Sequence, residues 1–573
     1  MLLATPSADA LARFGADVAV IGSGPVGTAT ALALADRGFR VLVLESGGAG
    51  PSAAAEDLAR AESVRPENHF EPHTAVARRL GGTSNLWAGR CLPFDPIDFR
   101  HRPWLGPVDA PGTGLGPWPI AEADLAPHLG AALAALDAGA PVYAAPIAGL
   151  APDPAFRCDT LERWSNTPRI QKRHAAALET RPDLLVALET TVLGFRYGAD
   201  GAVAALELAF GSTGEAGGQG RGQGRGELAV PRVVLAAGGN ASTRLLLLEQ
   251  ARDPGRYGGA GGPLGRFYMG HLSGEIADIL FDDPRLHDGL DYHVDAHGSY
   301  VRRRLVPSET TQAAERLTNV AFWPVVPRIA HPEHRSGPLS AVFLALSVPA
   351  VGRRLIAEPV RLKHVGAPPY RRGAHLGNVV RDLPRTLGFA PAFLWKHKVA
   401  AMRLPGFFLR NPARRYGLEY HAEQLPDPES RLTLAEGTRD ALGQPRLRID
   451  LRFSEADAAA VLRAHAALEA WLLRNRLGRL AWHQPDPAAR AAAVLARAMD
   501  GAHQVGTIRM GTDPASSVVD ARLRAHGVPN LFVVSTAVLP TSGQANPTLT
   551  AVQLGLRLAD DLADDLAAGR SAG

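Results

Sequence analysis

At 573 residues the chain is too long for one ordinary hydrophobic core, so two or more domains are expected. Hydrophobic residues make up 46% and charged residues 21%, the profile of a soluble globular protein rather than a disordered one. The formal charge of +4 is a slight excess with no zinc-finger, RNP or basic-helix pattern beside it, so nucleic acid is not expected as a partner.

Cys91 and Cys158 are the only cysteines, too few for a disulfide framework or a thiolate cluster. One disulfide between them stays open, although the composition points to a reducing cytoplasm. The opening MLLATPSADALARFGADVAVIG lacks the charged start and continuous apolar core of a signal peptide. No run approaches the roughly 18 uninterrupted apolar residues of a membrane span. A cytoplasmic location is therefore expected.

The first organised stretch is ADVAVIGSGPVGTATALALADRGFRVLVLESGG, which reads as strand, tight turn, helix, strand. Val18–Ile21 is the first strand, and Gly22, Gly24 and Gly27 form G-x-G-x-x-G. The turn needs a glycine, the backbone must approach a pyrophosphate, and the helix must pack closely on the sheet. The helix N-terminus then presents its positive end to the phosphates. A second strand, Val41–Leu44, ends at Glu45, whose carboxylate can accept from adenosine ribose hydroxyls. NAD and FAD satisfy this pattern equally; the acidic Glu45 disfavours NADP.

Next comes LGGTSNLWAGRCLPFDPIDF, Leu80 to Phe99. Two strand-like runs, Ala202–Phe210 and Leu228–Leu235, then flank GSTGEAGGQGRGQGRGE (Gly211 to Glu227), a low-complexity hairpin tip with no function assigned. A later strand at Val233–Ala236 leads through Ala237-Gly238-Gly239 into a helix beginning near Ser242. Its place after a long insertion favours a split FAD domain over a compact NAD domain. His331 and His334 make a short H-x-x-H without a third ligand nearby, so no metal site is expected.

The segment 351–416 carries fourteen Lys or Arg against two acids, Glu358 and Asp382, with Phe389, Phe393, Trp395, Phe407 and Phe408 interleaved. It is expected to form a lid or a subunit contact, its arginine stems covering apolar surface. Attachment to an anionic membrane surface is the alternative, disfavoured because no second anchor is evident.

The tail reads GAHQVGTIRMG (Gly501 to Gly511), then VVDARLRAHGVPNLFVVSTAVLPTSGQANPTLTAVQLGLRLADDL. Alone, His503 is a satisfied core histidine and Asn546 an Asx-turn residue. Together with the 80–99 stretch, however, this tail resembles the glucose–methanol–choline (GMC) oxidoreductase family. His503 to Gly511 matches its H-x-x-G-T-x-x-M-G motif and Asn546 to Thr550 its N-P-x-x-T motif, 43 residues apart as in the family. The pattern looks closest to the bacterial sugar-oxidising and pyranose-oxidase-like branch.

The resemblance implies an α/β fold: a Rossmann-like FAD-binding domain of the two-dinucleotide-binding-domain type, plus an α+β substrate domain on an antiparallel sheet. The boundaries expected are 15–100, 185–275 and 500–570 for the first, and 101–184 and 276–499 for the second. It implies oxidation of C–OH to C=O by hydride transfer to flavin N5, with His503 as base and Asn546 as its partner. A base must reach the departing hydroxyl proton, and histidine titrates in the right range. Gly81, Gly82, Thr83, Ser84 and Trp87, Val192, Ala237 and Gly238, and Thr536 and Thr548 carry over as cofactor-binding positions beside Gly22, Gly24, Gly27 and Glu45. His271, in GRFYMGHLSG, resembles a family turn and is expected to be structural.

Members with covalent flavin carry a histidine where this chain has Leu86, so non-covalent FAD is expected. The expected substrate is an alcohol on a sugar, glycoside, aminosugar or polyol, with oxygen or a diffusible acceptor taking the electrons. The rivals are a dehydrogenase of aliphatic, aromatic or steroid alcohols, a flavin monooxygenase, and a flavin-binding protein without turnover.

Overall fold

The computed structural model describes residues 1–4, 6–105, 117–211, 224–355, 361, 364–366, 368–394, 411 and 413–571. Most of the Gly-rich tip lies outside the described residues, as do Glu358, Trp395, Phe407 and Phe408 of the basic segment.

Two sheets carry the architecture. Val18–Ile21 and Val41–Leu44 are wholly buried runs, as a central parallel strand with both faces covered requires. They sit inside a six-stranded parallel sheet ordered Leu2–Leu3, Leu184–Ala187, Val41–Leu44, Val18–Ile21, Arg232–Leu235, Leu531–Val533. The chain thus returns to this sheet three times after leaving it at Leu44. Two helices meet beside it, Pro25–Asp36 and Thr548–Ser571. Gly555 lets their backbones approach, since a Cβ there would run into the Thr30 hydroxyl.

The expected strand Leu228–Leu235 is in fact two. Gly224–Leu228 closes an antiparallel hairpin with Val203–Phe210, and Arg232–Leu235 belongs to the parallel sheet. Pro231, without an N–H to donate, separates them. The following helix begins at Gly239 rather than near Ser242, because Gly238 takes the positive φ of 82° that turns the chain into it.

The second sheet is antiparallel, ordered Gly478–Trp482, His271–Phe281, Arg415–Glu423, Val320–Val325, Tyr300–Pro307, Phe156–Trp164 and Arg90–Cys91. Its residues divide by strand alternation. Leu272, Leu305, Phe322, Leu418, Tyr420 and Ala422 point to one side and form an apolar core. The helix Glu455–Arg474 covers that core with Val461, Ala464, Leu468, Trp471 and Leu472 at helical spacing. Register places His271 opposite Glu423, Ala321 opposite His421, Arg302 opposite Glu162 and Arg90 opposite Trp164. These residues occupy the other side of the sheet, which faces the first sheet's tail segment. Both cysteines are free. No helix among the described residues is long and apolar enough to cross a membrane.

Candidate active site

A long cleft opens along the C-terminal ends of the parallel strands, where ligands collect in open α/β sheets. The three motif glycines have separate reasons to be there. Gly22 turns the chain at φ 104°, and a Cβ would stand 2.7 Å from the Ala236 carbonyl oxygen. A Cβ on Gly27 would collide with the Gly22 carbonyl, so this glycine sets how closely helix and strand pack. Gly24 meets nothing within 4 Å: its missing side chain leaves room in the cleft itself. That is the cradle a pyrophosphate needs.

Gly22, Gly24, Glu45, Gly82, Thr83, Ser84, Trp87, Val192, Ala237, Gly238, Thr536, Thr548 and His503 all line this one cleft. Gly27 and Gly81 lie just behind its wall, Gly81 donating its N–H to Ser23 Oγ at 3.2 Å. The buried Glu45 carboxylate accepts from the Ser23 N–H at 3.1 Å and hydroxyl at 2.6 Å, and from the Gly47 N–H at 2.9 Å. Those bonds hold the first two strand ends together. Gln504 clasps the late segment to the tail, its Oε1 accepting from the Asn240 N–H at 2.9 Å while its carbonyl accepts from Thr536 at 2.6 Å.

His503, on the cleft wall, meets Asn546, which is not among the cleft's lining residues; Asn546 Nδ2 lies 2.9 Å from His503 Nε2. The fold adds two imidazoles. His503 Nδ1 lies 2.8 Å from Nδ1 of His271, and His271 stacks on His421 at 4.1 Å and 16°. His271 therefore belongs to this cluster, in place of the structural turn the sequence suggests.

Hydrogen-bond accounting settles the protons. His271 Nε2 is 3.1 Å from the Ser542 carbonyl, which can only accept, so that nitrogen bears the proton. A neutral His271 then has a bare Nδ1, and the Nδ1 contact makes His503 the donor. A neutral His503 in turn has a bare Nε2, directed at Asn546, whose Nδ2 donates to it. His421 similarly donates from Nδ1 to the Gln544 carbonyl at 2.7 Å. Neutrality is favoured throughout: burial, then the Arg90 charge, lowers His503 to about 4. Burial and the neighbouring imidazoles hold His271 and His421 well below the usual histidine range.

One ring nitrogen from each of His271, His421 and His503 lies within 4.8 Å of the other two. The sequence offered no metal site; this trio is one a divalent ion could share, on displacing the proton between His271 and His503. Asn546 Oδ1 is buried without a hydrogen-bond partner among the described residues, which leaves it available to a ligand hydroxyl.

Beyond the imidazoles the same sheet face is polar. Arg302 and Arg90 flank Glu162, the latter at 3.3 Å, and both guanidiniums lie over Trp323 at 4.9 and 4.8 Å. Burial would raise the Glu162 carboxyl, but the charges of Arg302, Arg90 and Arg304 outweigh it and hold it low. Arg304 donates to the Gln544 side chain, which donates in turn to Asp95 at 2.7 Å. Sequence reading missed His421, Arg90, Glu162, Trp323, Arg302 and Arg304. The one available signal was charge where a half-buried strand should alternate, as in VRRRL (Val301 to Leu305).

The glycine-cradled cleft of the parallel sheet and the polar side of the antiparallel sheet meet at His503, which lines the first and contacts His271 of the second. Residues 17–259 match the FAD-dependent oxidoreductase family. Residues 426–555 match the GMC oxidoreductase family, and the two matches together indicate FAD as the cofactor. Among relatives, it is 34% identical over 189 residues to the fructose dehydrogenase large subunit of Gluconobacter japonicus, covering 30% of each chain. It is 32% identical over 158 residues to a C-glycoside 3-oxidase of Microbacterium trichothecenolyticum, covering 27% of this chain and 29% of that one. The matched stretches thus span less than a third of these relatives' lengths. Among solved structures, pyridoxine 4-oxidase from Mesorbium loti aligns over 96% of this chain and 99% of its own, with 18% identity and a TM-score of 0.49.

The glycine assignments make a paired prediction. Gly27→Ala should lose at least about 2 kcal/mol of stability whether or not FAD is present, through overpacking. Gly24→Ala should leave the melting temperature of the FAD-free protein unchanged and weaken FAD binding at least tenfold. Thermal melts with and without FAD distinguish the two.

Proposed function

We propose that the protein oxidises an alcohol group, C–OH to C=O, on a sugar, glycoside, aminosugar or polyol. The observation that carries this is the contact between His503, on the wall of the cofactor cleft, and Asn546, whose Nδ2 marks Nε2 as the nitrogen that accepts a proton. In this reading the hydroxyl proton passes to Nε2 of His503. The Asn546 amide then orients the oxygen and shares its growing negative charge. FAD, when bound, supplies the acceptor for the hydride that leaves carbon. His271 acts as a positioning residue, keeping the His503 proton on Nδ1 so that Nε2 stays bare.

A carbohydrate substrate is supported by two kinds of observation. The relatives include a fructose dehydrogenase and a C-glycoside oxidase. The sheet face beside His421 is polar, carrying Arg90 against Glu162, a setting that suits a polyhydroxylated ring better than an aliphatic or steroid alcohol. We assign FAD binding to 15–100, 185–275 and 500–570, and substrate binding to 101–184 and 276–499. Electrons leave to oxygen or a diffusible acceptor.

Three expected outcomes test the reading. Anaerobic mixing with a panel of sugars, glycosides, polyols and simple alcohols should bleach the flavin with members of the first groups. His503→Ala should keep its yellow spectrum yet slow that bleaching by at least about 100-fold; an unchanged rate removes His503 as base. Because the imidazole binds a proton only below about pH 4, the wild-type rate should be level from pH 5 to 8. It should fall about tenfold per unit beneath pH 4, since the protonated ring cannot accept.

Replacing His271 separates positioning from packing. His271→Leu should lower kcat about 10- to 100-fold with KM little changed, and His271→Asn, which can accept from His503 and donate to Ser542, should restore most of it. Equal losses in both variants would make His271 a packing residue. Leu86, half exposed in the Gly81–Trp87 turn, provides no attachment point for flavin. Acid precipitation should therefore release FAD into the supernatant, and colour retained in the pellet would contradict non-covalent binding.

A further inference from the structure

The helices Arg372–Arg381 and Leu383–Leu394 belong to a segment that neither the FAD cleft nor the imidazole cluster uses. Their inner side is well packed. His375 and Asn378 are buried, His375 stacks on Phe343 at 4.0 Å, and both residues hydrogen-bond Ser340 of the underlying helix Gly337–Ser347.

The outer side is unusual. Leu376, Val380, Leu383 and Leu387 are 57, 67, 46 and 68% exposed. Their spacing of four residues sets Leu376 beside Val380 on the first helix and Leu383 beside Leu387 on the second, an exposed apolar stripe on each. Arg372, Arg381 and Arg385 are exposed along the same pair of helices; the one acid between them, Asp382, lies 3.8 Å from Arg385, and Arg372 also donates to the Ser347 carbonyl. The wider segment 351–416 carries fourteen basic residues against two acidic ones. An apolar stripe rimmed by arginine is the pattern of a helix that lies in a bilayer interface, its apolar side sunk among acyl chains and its cations among anionic headgroups.

We propose that these stripes form a docking surface for an anionic membrane leaflet. Charge decides between this and a second copy of the chain. A two-fold interface centred on the stripes would bring the same arginine rim against itself, whereas a layer of anionic headgroups neutralises it. The attachment is peripheral, since no helix among the described residues can cross a membrane.

The test uses the full-length, FAD-loaded protein sedimented with large unilamellar vesicles. Vesicles of 30% phosphatidylglycerol in phosphatidylcholine should bind it at least tenfold more tightly than phosphatidylcholine alone, and added salt should weaken binding. The double substitution Leu383→Asp, Leu387→Asp should abolish binding, and Arg381→Glu should lower it at least threefold. Both variants should retain the wild-type flavin spectrum and melting temperature, because the altered side chains are exposed. Equal recovery with and without phosphatidylglycerol would overturn the proposal. So would a dimer, seen by light scattering, that the Leu383 and Leu387 substitutions dissociate. Neither result depends on whether an alcohol reduces the flavin.

Discussion

A backbone carbonyl can only accept a hydrogen bond, and at this site that one restriction propagates across three residues. The Ser542 carbonyl takes the proton of His271, which leaves His271 to accept from His503, which leaves a bare nitrogen facing Asn546. Reversing any one bond would require an imidazolium or an unsatisfied donor in a buried place, and both are costly. The chain therefore holds its lone pair at one atom before any ligand arrives. This order depends on the large architecture, because His271 comes from the antiparallel sheet while His503, Ser542 and Asn546 come from the tail threaded beside the parallel one.

The antiparallel sheet makes that meeting by being two different surfaces at once. One side is a conventional apolar core under the helix Glu455–Arg474. The other gathers imidazoles, guanidiniums and a carboxylate that a lone strand would not bury. Such groups are tolerated because they satisfy one another: Glu162 between Arg302 and Arg90, and Arg102 paired through both nitrogens with Glu423. Buried ion pairs add little stability for their desolvation cost, so their concentration on this side argues for a specialised, polar surface rather than for a stronger core.

Legibility in the sequence followed locality. Val18–Ile21, Val41–Leu44 and the three glycines could be read because strand, turn and helix are contiguous and each glycine answers to a neighbour a few residues away. His503 and Asn546 could be read only through family motifs. His421 sits in YHAEQ and Arg90 in WAGRC without a distinguishing pattern, and their importance comes from strand register. His271 looked like a turn residue for the same reason. The strand boundary at Pro231 was available from proline's missing donor, yet the continuous apolar character of the run hid it.

By itself the sequence indicated the cofactor and pointed to a glycine cradle and two tail residues for it, because backbone sterics and motif spacing are properties of neighbouring positions. Only the tertiary structure decided which nitrogen of His503 is bare, which residues share its cavity, and which side of the helices Arg372–Arg381 and Leu383–Leu394 faces outward. Those outcomes depend on pairing between strands more than a hundred residues apart and on burial. No local pattern encodes such contacts, for they exist only once the two sheets face each other.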